Sequence, residues 1–157
     1  MTTKDLILEQ FDACFKDRNW FIPLMQSLEG LSPEQAQWKD GSTDHSIIQL
    51  VRHLIFWNER YLMRFIGKPM PPVNLGGEDP TFDLNPSDWE SELKKLNNVF
   101  SEFRTAIENS SEEKLQSLSG KDREDNWYEV LSNINIHNAY HIGQIICIRK
   151  LQGISCL

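Results

Sequence analysis

An all-α fold, a four-helix bundle, is what this sequence predicts, and three observations predict it. Apolar residues recur at helical spacing in four long segments, and capping signals open most of those segments. No convincing β-alternation and no internal repeat interrupts the pattern. Four amphipathic helices in 157 residues imply one bundle around one core, a single domain over residues 1–157.

The first segment runs from about Thr3 to Leu28, with Ile7, Phe11, Cys14, Phe21, Leu24 and Leu28 at helical spacing. Pro23 is expected to kink or interrupt it. Ser32, Pro33 and Gln35 combine an N-cap, a proline at the first helical position and the closing residue of a capping box, which predicts a short connecting helix. Ser46 and Gln49 form a second box and open a long helix to about Ile66, where Gly67 and Pro69 stop it. That helix carries His53.

Residues 67–86, GKPMPPVNLGGEDPTFDLNP, keep neither the helical nor the strand period and predict a long loop, a class of segment that is often functional. Ser87 with Glu90 predicts a third capping box and a helix to about Asn109, with Trp89, Leu93, Leu96, Phe100, Phe103 and Ile107 inward. A polar connection, SSEEKLQSLSGKDRED, leads to a last helix from about Asn126 to Leu151.

Hydrophobic residues are 39% of the chain and charged residues 25%, the balance of a soluble globular protein. A net charge of −7 opposes attraction to nucleic acid or to an anionic membrane, so neither is expected as a partner. No stretch is long and apolar enough to span a bilayer, and the start MTTKDLILEQFDACFKDR lacks the apolar core of a secretory signal. Cys14, Cys147 and Cys156 are scattered and odd in number, which fits a reducing, cytoplasmic setting. The tail ISCL lacks the cysteine placement of a prenyl anchor.

His137 and His141, in HNAYHIGQI, stand four apart, so their rings leave one helix face a turn apart and can converge on one ion. The same spacing is also that of a surface pair or a hydrogen-bonded core pair. The stripe centred on His137 takes in Val130, Asn133, His141, Gln144, Ile148 and Leu151, an inward face with a polar middle. Buried imidazoles without partners would cost several kcal/mol, roughly, and a shared metal removes that cost. His53 lies at the edge of the run Leu50, Leu54, Trp57 and Tyr61, a bearing that suits either a ligand at a solvent-reachable rim or a half-buried histidine bonded to a carbonyl. His45 precedes the helix cap and reads as a loop residue near the mouth of any site.

LVRHLIFWNERYL followed far downstream by INIHNAYHIGQIICIRKLQG resembles the DinB-like metalloproteins, most clearly from Trp38 onward. The resemblance implies a bundle in which His53, His137 and His141 bind a divalent metal, with water or substrate completing the shell. Three imidazoles with an open position form the ligand set of a catalytic rather than a structural zinc site, and zinc or nickel suits such donors. Asn133 and Gln144 are candidate groups for orienting the ligands, or else bridges between helices. The resemblance further implies a homodimer.

Proteins similar to this family include transferases that add low-molecular-weight thiols to electrophiles, and thiol-dependent isomerases. The leading expectation is therefore a metal-dependent thiol transferase acting on a small molecule. A non-catalytic metal-binding or stress-related interaction protein and a metal-dependent hydrolase are the alternatives. Arg60 and Arg64 lie beyond His53 on a similar bearing and could hold carboxylates of a thiol cofactor, or simply be solvated. Trp57 and Tyr140 are pocket or core residues, and Cys147 reads as packing. Glu59 points away and the loop acids Glu78 and Asp79 have no assigned place, so no general base is evident, which leans towards thiol chemistry over hydrolysis.

Overall fold

A computed structural model describes residues 1–73, 80–82 and 88–156. The described residues form seven α-helices, one 3-10 turn and no strand: α1 (Thr3–Phe15), α2 (Leu24–Leu28), α3 (Pro33–Gln37), α4 (Ile47–Phe65), the turn Pro80–Phe82, α5 (Trp89–Glu108), α6 (Glu112–Gln116) and α7 (Trp127–Leu151). An isolated antiparallel bridge joins Leu118 to Asn126. The long helices α1, α4, α5 and α7 make the bundle, with α5 and α7 each packed on both α1 and α4.

Caps set most of these boundaries. The Gln35 side chain accepts from the Ser32 N–H while the Ser32 hydroxyl accepts from the Gln35 N–H, the reciprocal box expected there. Asn126 and Glu129 make the same exchange at the start of α7. Gly67, at φ 74°, follows the end of α4, a left-handed conformation that glycine adopts without a Cβ clash. At α5 the cap is Asp88, whose carboxylate accepts from the Ser91 N–H, rather than the expected Ser87, which lies outside the described residues.

The first segment departs from expectation. Instead of one helix from Thr3 to Leu28 interrupted at Pro23, α1 ends at Phe15 and α2 begins only after Pro23. Lys16 to Asn19 offer no apolar residue to bury, and the residue before a proline avoids the helical region, so the chain has no reason to stay helical there. Arg149 of α7, only 4% exposed, then fixes α2 by donating to the carbonyls of Ser27 and Glu29 at 2.9 and 2.7 Å.

A continuous apolar core fills the bundle. Phe11 packs against Phe100 and Phe103 at ring separations of 5.6 and 5.7 Å, and Phe65 meets Trp127 edge-on at 4.8 Å. Asn58 of α4 and Asn138 of α7 sit within it at 1% and 0% exposure and exchange amide hydrogen bonds of 2.8 and 3.2 Å. That exchange satisfies groups that are costly to bury alone, and it ties together the two helices that bear the histidines.

Candidate metal centre

His53 from α4 and His137 and His141 from α7 converge between the two helices. Their Nε2 atoms lie 3.0 Å apart for His53 and His137 and 3.1 Å apart for His141 and His137. The three potential ligand atoms all fall within 4.8 Å of one another. Nitrogens that share an ion at about 2.0–2.1 Å stand about 3.0–3.4 Å apart, so the spacing fits coordination.

The outer nitrogens favour the same reading. His141 Nδ1 is 2.6 Å from Gln144 Oε1, and an amide oxygen only accepts, so the proton sits on Nδ1 and Nε2 keeps its lone pair. The Gln144 amide is oriented in turn by donating from Nε2 to the Tyr140 hydroxyl at 3.3 Å. His53 Nδ1 lies 2.6 Å from Thr81 Oγ1, which can hold that ring with its Nε2 bare as well. One Nε2 proton on His137 can be donated to only one of these two nitrogens at a time. A divalent cation between the three satisfies all of them, and the donor set is chemically suited to zinc, nickel or another imidazole-binding metal.

His53 and His141 are buried, at 5% and 6% exposure, whereas His137 is half-buried. The expectation of a solvent-reachable His53 is therefore corrected. Phe82, from the loop between α4 and α5, stacks on the His53 ring at 4.1 Å and shields it, and His45 stacks on the other face of Phe82 at 3.8 Å. Gln49 holds this cover by donating to the Phe82 carbonyl at 3.1 Å. Residues 80–82 of the long loop thus belong to the site, while Glu78 and Asp79 lie outside the described residues.

Two cavities flank the cluster. One of about 300 Å³ includes His137, Trp57, Asn58, Tyr61, Asn133 and Asp125 in its lining. The other, of about 420 Å³, includes His141, His45, Phe82, Tyr140, Gln144 and Cys147. Asn133 is an exposed wall residue of the first rather than part of a buried stripe, and Leu151 is 52% exposed. Val130, His141 and Ile148 of that stripe are buried as expected, but the buried face of α7 is centred elsewhere and also takes in Leu131, Ile134, Asn135, Asn138, Ile142, Ile145 and Arg149, with His137 at its edge. Cys147 is exposed and lines a cavity, so it is not a packing residue.

Trp57 is half-buried and faces the His137 cavity, and Tyr140 is 63% exposed beside His141. Arg60 donates to the Pro71 carbonyl at 2.6 Å, outside the histidine cluster. Glu59 does point away, pairing with Lys95 at 3.1 Å. Asp125 went unnoticed in the sequence because it closes a polar connection with no period, yet it brings a carboxylate into the His137 cavity and accepts from the Ser119 hydroxyl at 2.8 Å. Thr81 was equally unreadable, since no local signal distinguishes it within its loop.

The fold and this cluster define a helical bundle able to hold a divalent metal ion between two of its helices. The family model of the DinB superfamily matches residues 23–145, which include all three histidines, and the chain belongs to that superfamily. No curated protein and no solved structure gives a significant match.

Proposed function

We propose that this protein is a metal-dependent transferase that joins a low-molecular-weight thiol to a small electrophile, with His53, His137 and His141 as the ligands of zinc or nickel. The observation that carries the reading is the convergence of three Nε2 atoms with the least buried of them, His137, facing an open cavity of about 300 Å³. Imidazole donors alone leave room for an exogenous ligand. A divalent ion held there would supply the positive charge that lowers the pKa of an incoming thiol.

The protein's own groups would do the rest. Trp57 and Tyr61 offer an apolar wall for the carbon skeleton of the electrophile, and Asp125 offers an acceptor for the proton the thiol gives up. Sulfur then bonds to the electrophilic carbon as the leaving group departs with its bonding pair. Asp125 also supports a second reading, hydrolysis, because the same carboxylate could take a proton from water. Its presence weakens the argument from a missing base, so the choice falls to experiment.

Metal content by mass spectrometry, compared with that of His137→Ala and His53→Ala, tests the site. The expected result is near-stoichiometric metal that both variants lose. Cobalt-loaded protein then tests the chemistry: thiols should shift its visible spectrum and be consumed with an electrophile. A spectrum unmoved by thiols would sink the transferase reading in favour of an inert binder, and ester cleavage without thiol would favour the hydrolase.

The proposal extends to a homodimer in the cytoplasm. Ile136 and Tyr140, 64% and 63% exposed one turn apart on α7, support a pairing face, and the three cysteines are free thiols, as a reducing compartment would leave them. No helix among the described residues is long and apolar enough to cross a membrane. Light scattering after size exclusion would separate a pair from a single chain.

A further inference from the structure

Trp57 and Tyr61 also line a third cavity, of about 390 Å³, adjoining the one that His137 faces. Arg60, Arg64, Lys68 and Arg123 share it, and no carboxylate among the described residues lines it. The chain has 23 acidic and 16 basic residues, so four bases around one cavity run against its average charge. Asp125, with Oδ1 4.0 Å from Arg123 Nε, lines the His137 cavity instead.

Arg64 is incompletely satisfied there. Its guanidinium lies over the rings of Tyr61 and Trp127 at 4.9 and 5.1 Å, and Nη2 donates to Ser119 Oγ at 3.1 Å. Its Nε is buried with no hydrogen-bond partner among the described residues. Burial first, and then the nearby Arg123, push the Arg64 pKa below its ordinary value, with Tyr61 and Asp125 opposing. A bound anion would relieve the clustering of like charge by pairing with the cationic side chains that line the cavity.

We infer that this basin is an anion subsite for a doubly negative terminal group, a dicarboxylate or a phosphate monoester, on a ligand whose other end reaches His137 past Trp57 and Tyr61. Its role in the reaction rests on the transferase reading, but anion binding itself does not. An elongated thiol or electrophile with a charged tail would thus be selected over a neutral one of equal size, because the tail fixes the reacting end.

Calorimetric titration at low ionic strength tests this, with succinate and glycerol 3-phosphate in separate arms and succinamide as the neutral control. Saturable binding of a dianion with no response to succinamide is expected, and the tighter arm names the source, carboxylate or phosphate. Lys68→Gln combined with Arg123→Gln, both exposed positions, should weaken that binding by about tenfold or more without shifting the melting temperature. His137→Ala should retain it. Failure of both dianions to saturate, equal binding of succinamide, unchanged affinity in the double variant, or loss of binding in His137→Ala would each overturn the subsite. A wild-type protein that takes up no metal but still binds the dianion would overturn the transferase reading alone.

Discussion

Gln144 accepts a hydrogen bond from His141 within one helical turn, 2.6 Å from Nδ1 to Oε1, and so decides which nitrogen of the imidazole faces His137. Without that acceptor the ring can place its proton on either nitrogen and rotate away from the cluster. Gln144→Ala should therefore lower metal affinity by about 10- to 100-fold while leaving the fold intact. Competition against a chelating dye measures it, and an unchanged affinity would reduce Gln144 to a bystander.

Thr81 stands in the same relation to His53, at 2.6 Å from Nδ1, but reaches it from a loop rather than from the ligand's own helix. Thr81→Val keeps the shape and removes the acceptor. A loss of affinity comparable with that of Gln144→Ala is expected, with near additivity between the two because they act on different ligands. Strong non-additivity in the same dye competition would mean that the two rings move as a unit.

The amide exchange between Asn58 and Asn138 makes a prediction about stability. Asn138→Leu leaves the Asn58 amide oxygen without the Asn138 Nδ2 donor in a buried setting, at a cost of about 1–3 kcal/mol. Replacing both by leucine removes the orphan and should recover part of that loss. Urea denaturation of the two singles and the double closes the cycle, and a double variant no better than the sum of the singles would contradict the coupling.

Much of the fold was legible because caps are local. Ser32 with Gln35, Ser46 with Gln49 and Asn126 with Glu129 opened helices where expected, and Gly67 ended one. The bearing of α7 was not legible, because Ile134, Ile136, Ile142, Ile145, Ile146 and Ile148 spread apolar character around much of its circumference. A stripe centred on His137 was therefore as reasonable as the true one through Asn138 and Ile142. Buried Asn58, Asn138 and Arg149 escaped notice because their partners come from distant segments, as with Arg149 and the Ser27 carbonyl. The convergence of His53 with a pair more than eighty positions away depends on tertiary packing, and only family resemblance supplied it in advance.

Arg149 carries a further test. It donates to the carbonyls of Ser27, Glu29 and Ser155, joining α7 to the end of α2 and to the chain beyond α7. Arg149→Met keeps much of the aliphatic bulk but abandons buried carbonyls, so a loss of about 3 kcal/mol or more is expected in urea denaturation. Hydrogen exchange should quicken around residues 24–28 before the rest of the core. Uniform destabilisation without that local signature would argue against a specific tie.

The Cys14 thiol links stability to alkaline pH. Burial pushes its pKa from the model-peptide value of 9.0 up to about 11, and the neutral S–H donates to the Asn135 carbonyl at 3.5 Å. A thiol whose folded pKa is raised holds its proton more tightly in the folded state than in the unfolded one. Its contribution is thus fully present below pH 9 and is lost as pH rises through the window from about 9 to 11, amounting to about 2–3 kcal/mol at the upper end. Cys14→Ala removes that titration, so its stability should fall less steeply than that of the wild type across the same window, whatever the lysines contribute to both. Iodoacetamide gives an independent check: exposed Cys147 should alkylate rapidly at pH 8 while Cys14 stays protected until the protein opens. Parallel stability curves for wild type and Cys14→Ala would show that the buried thiol does not titrate in this range.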